Sequence, residues 1–298
     1  MQQRIKSRAA TSAATLTTTV VLASVLAACG GGGNSEGGGT PTATIASMSV
    51  DAHKYYSTAT ITINGTGLDN TLAVTSQACT GMTLASSSTS TTATYTCKVD
   101  GALSGTVVAK SNGTTIGSKS FTVPAPVVNM ILSNQLAVNG TVSITLAPDK
   151  APKTVDNFLN YVNAGFYNGT IFHRIVPGFV AQGGGYASPV TNLSTATLKT
   201  GLLAPIGYEN SGLSNVSGTI AMASDGAGNE TSQFYFNTND NTQLDGRYAV
   251  FGTITGGSSV VQAMLAAPAN CTVSGTGPVT ETDCLPNPNV VITSATLQ

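Results

Sequence analysis

The side chains best suited to chemistry lie in one short segment, residues 172–185, with the sequence FHRIVPGFVAQGGG. Only 8% of the residues are charged, so an arginine placed between Phe172 and Ile175 stands out in this chain. The guanidinium of Arg174 stays charged and offers a rigid fork of hydrogen-bond donors. Such a group can stabilise a developing charge or lone pair without acting as a nucleophile. A surface salt bridge is the plain alternative for Arg174.

A second segment, residues 218–252, adds amide and aromatic side chains. It reads GTIAMASDGAGNETSQFYFNTNDNTQLDGRYAVFG. For each single aromatic residue in it, packing in the core is the alternative to ligand binding. The run Gly183–Gly185 lacks the context of a phosphate-binding motif and indicates a close backbone turn.

The elements that must position these residues are predicted from residue 127 onward. Val127–Leu132 and Thr141–Leu146 have strand composition and are linked across Asn139-Gly140, a hairpin turn signal. Short strand candidates and glycine-rich loops make up most of the remainder. Many strands with two helices fit a mainly β fold, a closed antiparallel barrel capped by the helices.

Two helices are expected in this part of the chain. The first begins near Pro152, which suits a first helical turn, and ends near Gly165. The second lies near Ser258–Ala267 and is followed by Pro268. Their apolar faces share helical spacing, with Val155, Phe158, Leu159 and Val162 in the first and Val260, Val261, Met264 and Leu265 in the second.

Residues 43–123 show strict alternation of apolar and polar side chains, as in Ala59–Ile63. This pattern, with hairpin signals at Asn64-Gly65 and Asn112-Gly113, predicts a small all-β sandwich of about seven strands. Its texture is similar to that of bacterial immunoglobulin-like domains. A spacer or stalk is the favoured role over specific binding. Residues 124–126, Pro-Ala-Pro, mark the boundary to the next domain.

The N-terminus has the pattern of an export signal over residues 1–28: basic residues come first, followed by an apolar stretch. Leu26-Ala27-Ala28-Cys29 looks like a bacterial lipobox, which predicts lipidation of Cys29 and a glycine-rich tether over residues 29–42. The alternatives are a plain secretory signal or an uncleaved anchor. Gly30 replaces the aspartate of inner-membrane retention, so we expect the cell envelope, at the outer membrane facing the periplasm.

Four cysteines remain after Cys29, and an even number in an exported protein argues for disulfides. Proximity in sequence favours Cys79–Cys97 and Cys271–Cys284. A metal site is not expected, because the chain has no CxxC spacing and only two histidines. The formal net charge is −1 and no basic cluster occurs, so no nucleic-acid partner is expected.

The segments at 172–185 and 218–252 resemble, in order and spacing, the signature of the cyclophilins, a family of peptidyl-prolyl cis-trans isomerases. The resemblance covers about residues 127–298. It implies the barrel fold, isomerisation of X-Pro bonds in proline-containing polypeptide clients, no cofactor and no metal. A monomer is expected, with membrane contact through the lipid anchor alone. Since the reaction needs no acid–base step, His173 is expected to be structural.

The resemblance also assigns residues. Arg174 matches the catalytic arginine, and Gln182 matches the glutamine that holds the arginine or a substrate carbonyl. The expected substrate-binding positions share the proline pocket and its neighbouring strand, and they are Phe172, Phe179, Val180, Met222, Ala223, Ser224, Gln233, Tyr235, Leu244 and Tyr248.

Several positions depart from the eukaryotic pattern. Gln243 stands at a usual tryptophan, Tyr235 at a phenylalanine, Tyr248 at a histidine and Ser224 at an asparagine. Tyr235 is expected to narrow or polarise the pocket floor, and Gln243 to weaken cyclosporin binding. Two rival functions remain open: a peptide-binding module without turnover, and a structural or adhesive lipoprotein in which the sandwich does the work.

Overall fold

A computed structural model describes residues 43–68, 72–273 and 281–298. The predicted signal, the lipobox with Cys29 and the whole tether lie outside these residues. Residues 41–298 form one compact unit. Within the described ranges, no helix has the length and apolar character that crossing a bilayer requires.

Two sheets precede the barrel, and we call them the N-terminal sheets. Their strands are β1 (Thr44–Asp51), β2 (Thr58–Thr66), β3 (Ala73–Thr75), β4 (Cys79–Leu84), β5 (Thr92–Val99), β6 (Ser104–Ser111) and β7 (Thr114–Thr122). One sheet has the order β1-β2-β5-β4 and the other β3-β6-β7. The alternation predicted at Ala59–Ile63 is visible in burial, since Ala59, Ile61 and Ile63 are fully buried. The immunoglobulin-like classification and the domain boundaries stay predictions.

The mainly β barrel predicted from the sequence is confirmed. Its elements are β8 (Val127–Ser133), β9 (Asn139–Leu146), α1 (Pro152–Asn163), β10 (Thr170–Ile175), β11 (Val180–Ala187), β12 (Ile206–Gly207), β13 (Thr219–Ser224), β14 (Asn229–Asn237), β15 (Val250–Gly256), α2 (Ser258–Leu265), β16 (Ala269–Val273), β17 (Glu281–Pro286) and β18 (Val290–Leu297). Eight of the described strands run antiparallel in the order β11-β10-β18-β8-β9-β15-β13-β14, and pairing of β11 with β14 closes the ring.

Both helices occur where the apolar patterns predicted them. In α1, all four predicted inward residues are buried, and Pro152 occupies the first turn. In α2, Val261 and Met264 are buried while Val260 and Leu265 are partly buried. Helix α1 has no side-chain cap of its own at Ala151. Instead, the distant Glu209 carboxylate accepts hydrogen bonds from the Thr154 amide and hydroxyl, each at 2.9 Å, which supplies a negative charge at the helix N-terminus.

The N-terminal sheets contact the barrel at α1. The Tyr55 hydroxyl donates to Asp156 Oδ1 at 2.9 Å, and the Tyr56 hydroxyl donates to Asn160. Burial raises the pKa of Asp156 to about 6. The N-terminal sheets are therefore in direct contact with the barrel. A spacer or stalk would not need this contact.

The predicted Cys79–Cys97 disulfide is present and links β4 to β5. The backbone register of β16 and β17 places Cys271 opposite Cys284, while the side chains of these two cysteines lie outside the described residues. That second disulfide stays a prediction.

Replacing both Cys79 and Cys97 with alanine is expected to lower the free energy of unfolding of the N-terminal sheets by about 3 kcal/mol. The loop that the bond closes spans a sequence separation of 18 residues, and an open loop restores entropy to the unfolded chain. Urea unfolding under non-reducing conditions measures the change. An unchanged midpoint and slope in the double variant would contradict the expectation.

Candidate active site

Most of the residues expected to act on a substrate line one cavity of about 250 Å³. It lies where β10 and β11 meet β13, β14 and the segment after β14. Its lining consists of nine predicted positions: Arg174, Phe179, Val180, Gln182, Ala223, Ser224, Tyr235, Leu244 and Tyr248. Residues more than 70 positions apart in the chain thus form one wall, because barrel closure brings β11 beside β14.

A β-bulge in β10 aims Arg174 into this cavity. Phe172 lies opposite Gly183, whereas Arg174 lies opposite Gln182, so two steps along β10 match one step along β11. Residues directly opposite one another share a face of the sheet, and neighbours along a strand do not. The extra residue therefore sends Phe172 inward and Arg174 outward.

The guanidinium carbon of Arg174 lies 5.6 Å from the centre of the Phe179 ring. This distance permits attraction between the cation and the ring face. The contact with Phe179 holds the guanidinium at the wall of the cavity.

Gln182 is held by another predicted residue, Gln233. The Gln182 Nε2 group donates to Gln233 Oε1 at 2.9 Å. Gln233 does not line the main cavity but lies in an adjoining one of about 260 Å³, which shares Ala223 and Ser224 with it. Leu198, Leu202 and Pro205 give the second cavity an apolar wall.

Two predicted contact residues, Phe172 and Met222, do not line either cavity. Both side chains are fully buried, and the Phe172 ring packs 5.7 Å from Phe234 and 5.3 Å from Phe236. The bulge in β10 explains the inward direction of Phe172. Met222 lies opposite Phe234 in the register of β13 and β14 and so faces the same core. Their placement gives them a role in the barrel interior instead of direct contact with a ligand side chain.

Tyr235 forms the cavity floor and the Tyr248 ring lies beside it, with ring centres 5.9 Å apart and nearly perpendicular planes. The Tyr235 hydroxyl donates to Asn215 Oδ1 at 2.8 Å, and burial holds the pKa of this phenol well above its usual range. Asn215 is fully buried and outside the cavity lining. The hydroxyl therefore points away from the cavity and the ring alone faces it, contrary to the expected polarisation of the floor.

His173 is buried and makes an edge contact with the Tyr186 ring, 4.8 Å between centres. Burial, with a smaller contribution from the charge of Arg174, lowers the pKa of His173 to about 4. Its imidazole is neutral at physiological pH and lies outside the cavity lining. Both observations fit the structural role expected for His173.

Two polar residues near the site had no sequence signal. Asn215 lies in the segment Gly212–Ser217, whose composition predicts only a loop. Glu230 lies on β14 between Ser224 and Ile206 and is fully buried. Among the described residues, none donates a hydrogen bond to either carboxylate oxygen of Glu230. Burial, reinforced by the charge of Glu209, raises the pKa of Glu230 to about 7.

We expect Glu230→Gln to flatten the pH dependence of stability. The ordinary pKa of the glutamate is 4.5 and its folded value is about 7, so the folded state binds the proton more tightly. The contribution of Glu230 to stability is therefore highest below pH 4.5, falls as the pH rises to about 7, and then levels off. At pH 8 the variant should exceed the wild type by on the order of 3 kcal/mol.

Urea unfolding at pH 4.5 and pH 8 measures this difference. Asp156 changes stability in the same direction below pH 6, but it is common to both proteins and cancels in the comparison. Asp156→Asn provides a comparison, because it should remove only the part of the pH dependence that lies below about pH 6. A wild type and a Glu230→Gln variant with parallel pH profiles would contradict the expectation.

The class of protein follows from the fold and the cavity together. A closed eight-stranded barrel with two helices, carrying a surface cavity with one guanidinium, a glutamine and an aromatic floor, is a cyclophilin-type barrel. The family model for the cyclophilin-type peptidyl-prolyl cis-trans isomerases (the CLD family) matches residues 128–297, more than half of the chain. The chain belongs to this family.

Two relatives identified by sequence agree with this assignment. Peptidyl-prolyl cis-trans isomerase A of Dickeya dadantii is 44% identical over 128 residues, which cover 41% of this chain and 64% of that protein. Peptidyl-prolyl cis-trans isomerase B of Escherichia coli is 41% identical over 133 residues, covering 41% of this chain and 77% of that protein. A crystal structure of a Cryptosporidium parvum cyclophilin-type isomerase in the presence of the dipeptide Ala-Pro is 22% identical, with a TM-score of 0.45, and covers 58% of this chain and 98% of that one.

Proposed function

We propose that this chain accelerates X-Pro isomerisation in proline-containing polypeptides of the cell envelope, with Arg174 stabilising the twisted bond. Rotation about a peptide bond faces a barrier of ~18–20 kcal/mol, because resonance gives the C–N bond partial double-bond character. X-Pro bonds isomerise in tens to hundreds of seconds, slow enough to limit folding. An enzyme that shortens this time needs no covalent step.

The twisted transition state differs from both ground states at the proline nitrogen. Loss of resonance makes that nitrogen pyramidal and more basic. A donor aimed at it therefore stabilises the transition state more than the substrate, which is the requirement for catalysis. Arg174 provides such a donor at the edge of the cavity.

The apolar part of the same cavity suits a proline ring. Phe179, Val180, Leu244 and the ring of Tyr235 line it. Burial of the ring fixes the X-Pro bond beside Arg174 and removes water that would compete for the donor. The observation that carries the proposal is this placement of one guanidinium beside the apolar wall of a cavity of about 250 Å³.

The first test is the exchange rate of an Ala-Pro-Phe peptide, measured by NMR exchange spectroscopy with residues 30–298. We expect catalytic amounts of the protein to accelerate exchange strongly. A folded protein that binds the peptide without acceleration would support the rival function, a peptide-binding module or holdase. A protein that neither binds the peptide nor accelerates its exchange would support the other rival function, an adhesive role of the N-terminal sheets.

We propose further that Cys29 is lipidated and that the tether over residues 29–42 carries the chain at the outer membrane. The support is the lipobox pattern and the glycine-rich composition that follows it. Metabolic labelling with a radioactive fatty acid in a bacterial host tests the proposal. Label that disappears on Cys29→Ala supports it, and a wild type without label refutes it.

The proposed role of residues 43–123 is to support the barrel without contributing to its chemistry. No residue of the N-terminal sheets lines the cavity around Arg174. A chain lacking residues 43–123 should therefore keep peptide turnover if the barrel remains folded. Loss of turnover with a folded barrel would assign the sheets a part in the activity.

A further inference from the structure

We infer that Asn215 is a positioning residue that joins the floor of the proline pocket to its rim. This inference rests on the proposed function, since it assigns Asn215 to the same cavity. Asn215 does not line that cavity. It acts through Tyr235 on the floor and through the segment 241–248, which carries Leu244 and Tyr248 on the rim.

Both atoms of the Asn215 amide are engaged, and they point to different parts of the site. The side-chain oxygen accepts from the Tyr235 hydroxyl at 2.8 Å and from Asn237 Nδ2 at 3.1 Å. The side-chain nitrogen donates to Asp245 Oδ1 at 3.0 Å and to the Tyr248 carbonyl at 3.4 Å. One fully buried amide thus connects Tyr235 and Asn237, both on β14, with two residues of the rim segment.

The backbone of Asn215 strengthens the same connection. Its N–H donates to Asp245 Oδ1 at 2.7 Å, and its carbonyl accepts from the Asn241 N–H at 2.7 Å. The bonds from Asn215 lower the pKa of Asp245, so its carboxylate is charged at neutral pH. The bonds to the Asp245 carboxylate are charge-assisted and therefore stronger than neutral ones. Together with the neutral backbone bond from Asn241, they hold the rim segment at two points.

The buried Tyr235 hydroxyl needs Asn215 as its hydrogen-bond acceptor. The phenol is 4% exposed and donates to Asn215. If the acceptor is removed, a buried hydroxyl is left without its bond, which is unfavourable. The ring is then expected to shift toward the cavity that it lines, where a bound proline ring must fit. A phenylalanine at position 235 would have no such requirement.

Tyr235 and Asn215 should therefore behave as a unit, which a double-mutant cycle can detect. We would measure kcat/KM and KM for the Ala-Pro-Phe peptide with the wild type, Asn215→Ala, Tyr235→Phe and the double variant. We expect Asn215→Ala to lower kcat/KM about tenfold, mainly through KM, because Arg174 is untouched. Tyr235→Phe keeps the ring and sets the reference for the double variant. Adding Tyr235→Phe to Asn215→Ala should restore kcat/KM at least threefold.

Asn134→Ala is the matched control. Asn134 is also a buried asparagine, with an exposure of 3%, and its side-chain oxygen accepts from the amides of Leu136 and Val138 in the loop between β8 and β9. This variant should lose stability while its kcat/KM stays within twofold of the wild type.

Two results would overturn the inference. One is a double variant in which the two single losses simply multiply. The other is an Asn134→Ala variant with the same loss of kcat/KM as Asn215→Ala. Failure of the proposed function is a different result, a wild type that binds the peptide without accelerating exchange. In that case the double-mutant cycle is evaluated with the dissociation constant of the peptide in place of kcat/KM. The positioning role is supported if Asn215→Ala binds the peptide more weakly and Tyr235→Phe restores the affinity in the double variant. It is refuted if the affinity is not restored.

Discussion

Arg174→Ala is expected to lower kcat/KM for isomerisation of an Ala-Pro-Phe peptide by about a hundredfold, or ~2.7 kcal/mol of transition-state stabilisation. The loss should fall on kcat more than on KM. The guanidinium is proposed to bond to the proline nitrogen only when resonance is lost, so its removal affects the twisted state selectively. NMR exchange spectroscopy at several peptide concentrations separates the two constants.

Two further variants sharpen this test. Arg174→Lys keeps the charge but replaces the planar fork with a single ammonium group, and we expect it to recover only part of the lost activity. Lys119→Ala removes an exposed cation on β7 that does not line the cavity, and it should stay within twofold of the wild type. Equal activity of Arg174→Ala and the wild type would remove Arg174 from the mechanism.

Phe158→Ala should produce the largest loss of stability, about 3–5 kcal/mol in the free energy of unfolding of the barrel. The ring is fully buried on α1 and lies 5.0 Å from Phe251, 5.2 Å from Tyr167 and 5.8 Å from Phe234. Its removal leaves a cavity among three aromatic rings and takes away a buried contact of α1 with the barrel interior.

Urea unfolding followed by far-UV circular dichroism measures this loss. Phe158→Leu is the matched control, because it keeps an apolar side chain that partly fills the space, and it should cost less than half as much. The expectation would fail if Phe158→Ala lost under 1 kcal/mol. Such a result would mean that the neighbouring rings collapse into the space.

Local pattern was sufficient for a large part of the structure. Both helices were predicted from the spacing of their apolar residues and from prolines at their ends, and the strands β8 and β9 from alternation around Asn139-Gly140. These signals depend on neighbours within a few residues, which the sequence displays directly. The disulfide Cys79–Cys97 was likewise suggested by proximity along the chain.

The direction of individual side chains required the register between strands. Phe172 and Arg174 are two residues apart, so regular alternation would place them on the same face. The bulge opposite Gly183 and Gln182 separates them. A bulge depends on how two strands pair, and no property of the segment 172–185 alone marks its position.

Buried polar contacts were the other feature beyond reach of the sequence. Two of these contacts join residues that are distant in the chain: Glu209 with the start of α1, and Asn215 with Tyr235. The burial of Glu230 likewise depends on strands that pair from different parts of the chain. Their residue types are common in loops and on surfaces, so composition predicts exposure.

The sequence by itself identified the two local segments that carry all nine side chains lining the cavity, because their residues come in a recognisable order. It also determined the fold class, through periodicity that reflects backbone geometry. Only the tertiary structure decided which of those side chains face the cavity, where the Tyr235 hydroxyl points and which buried groups hold the rim in place. The physical reason is that these features follow from strand register and barrel closure, which are set by contacts between distant parts of the chain.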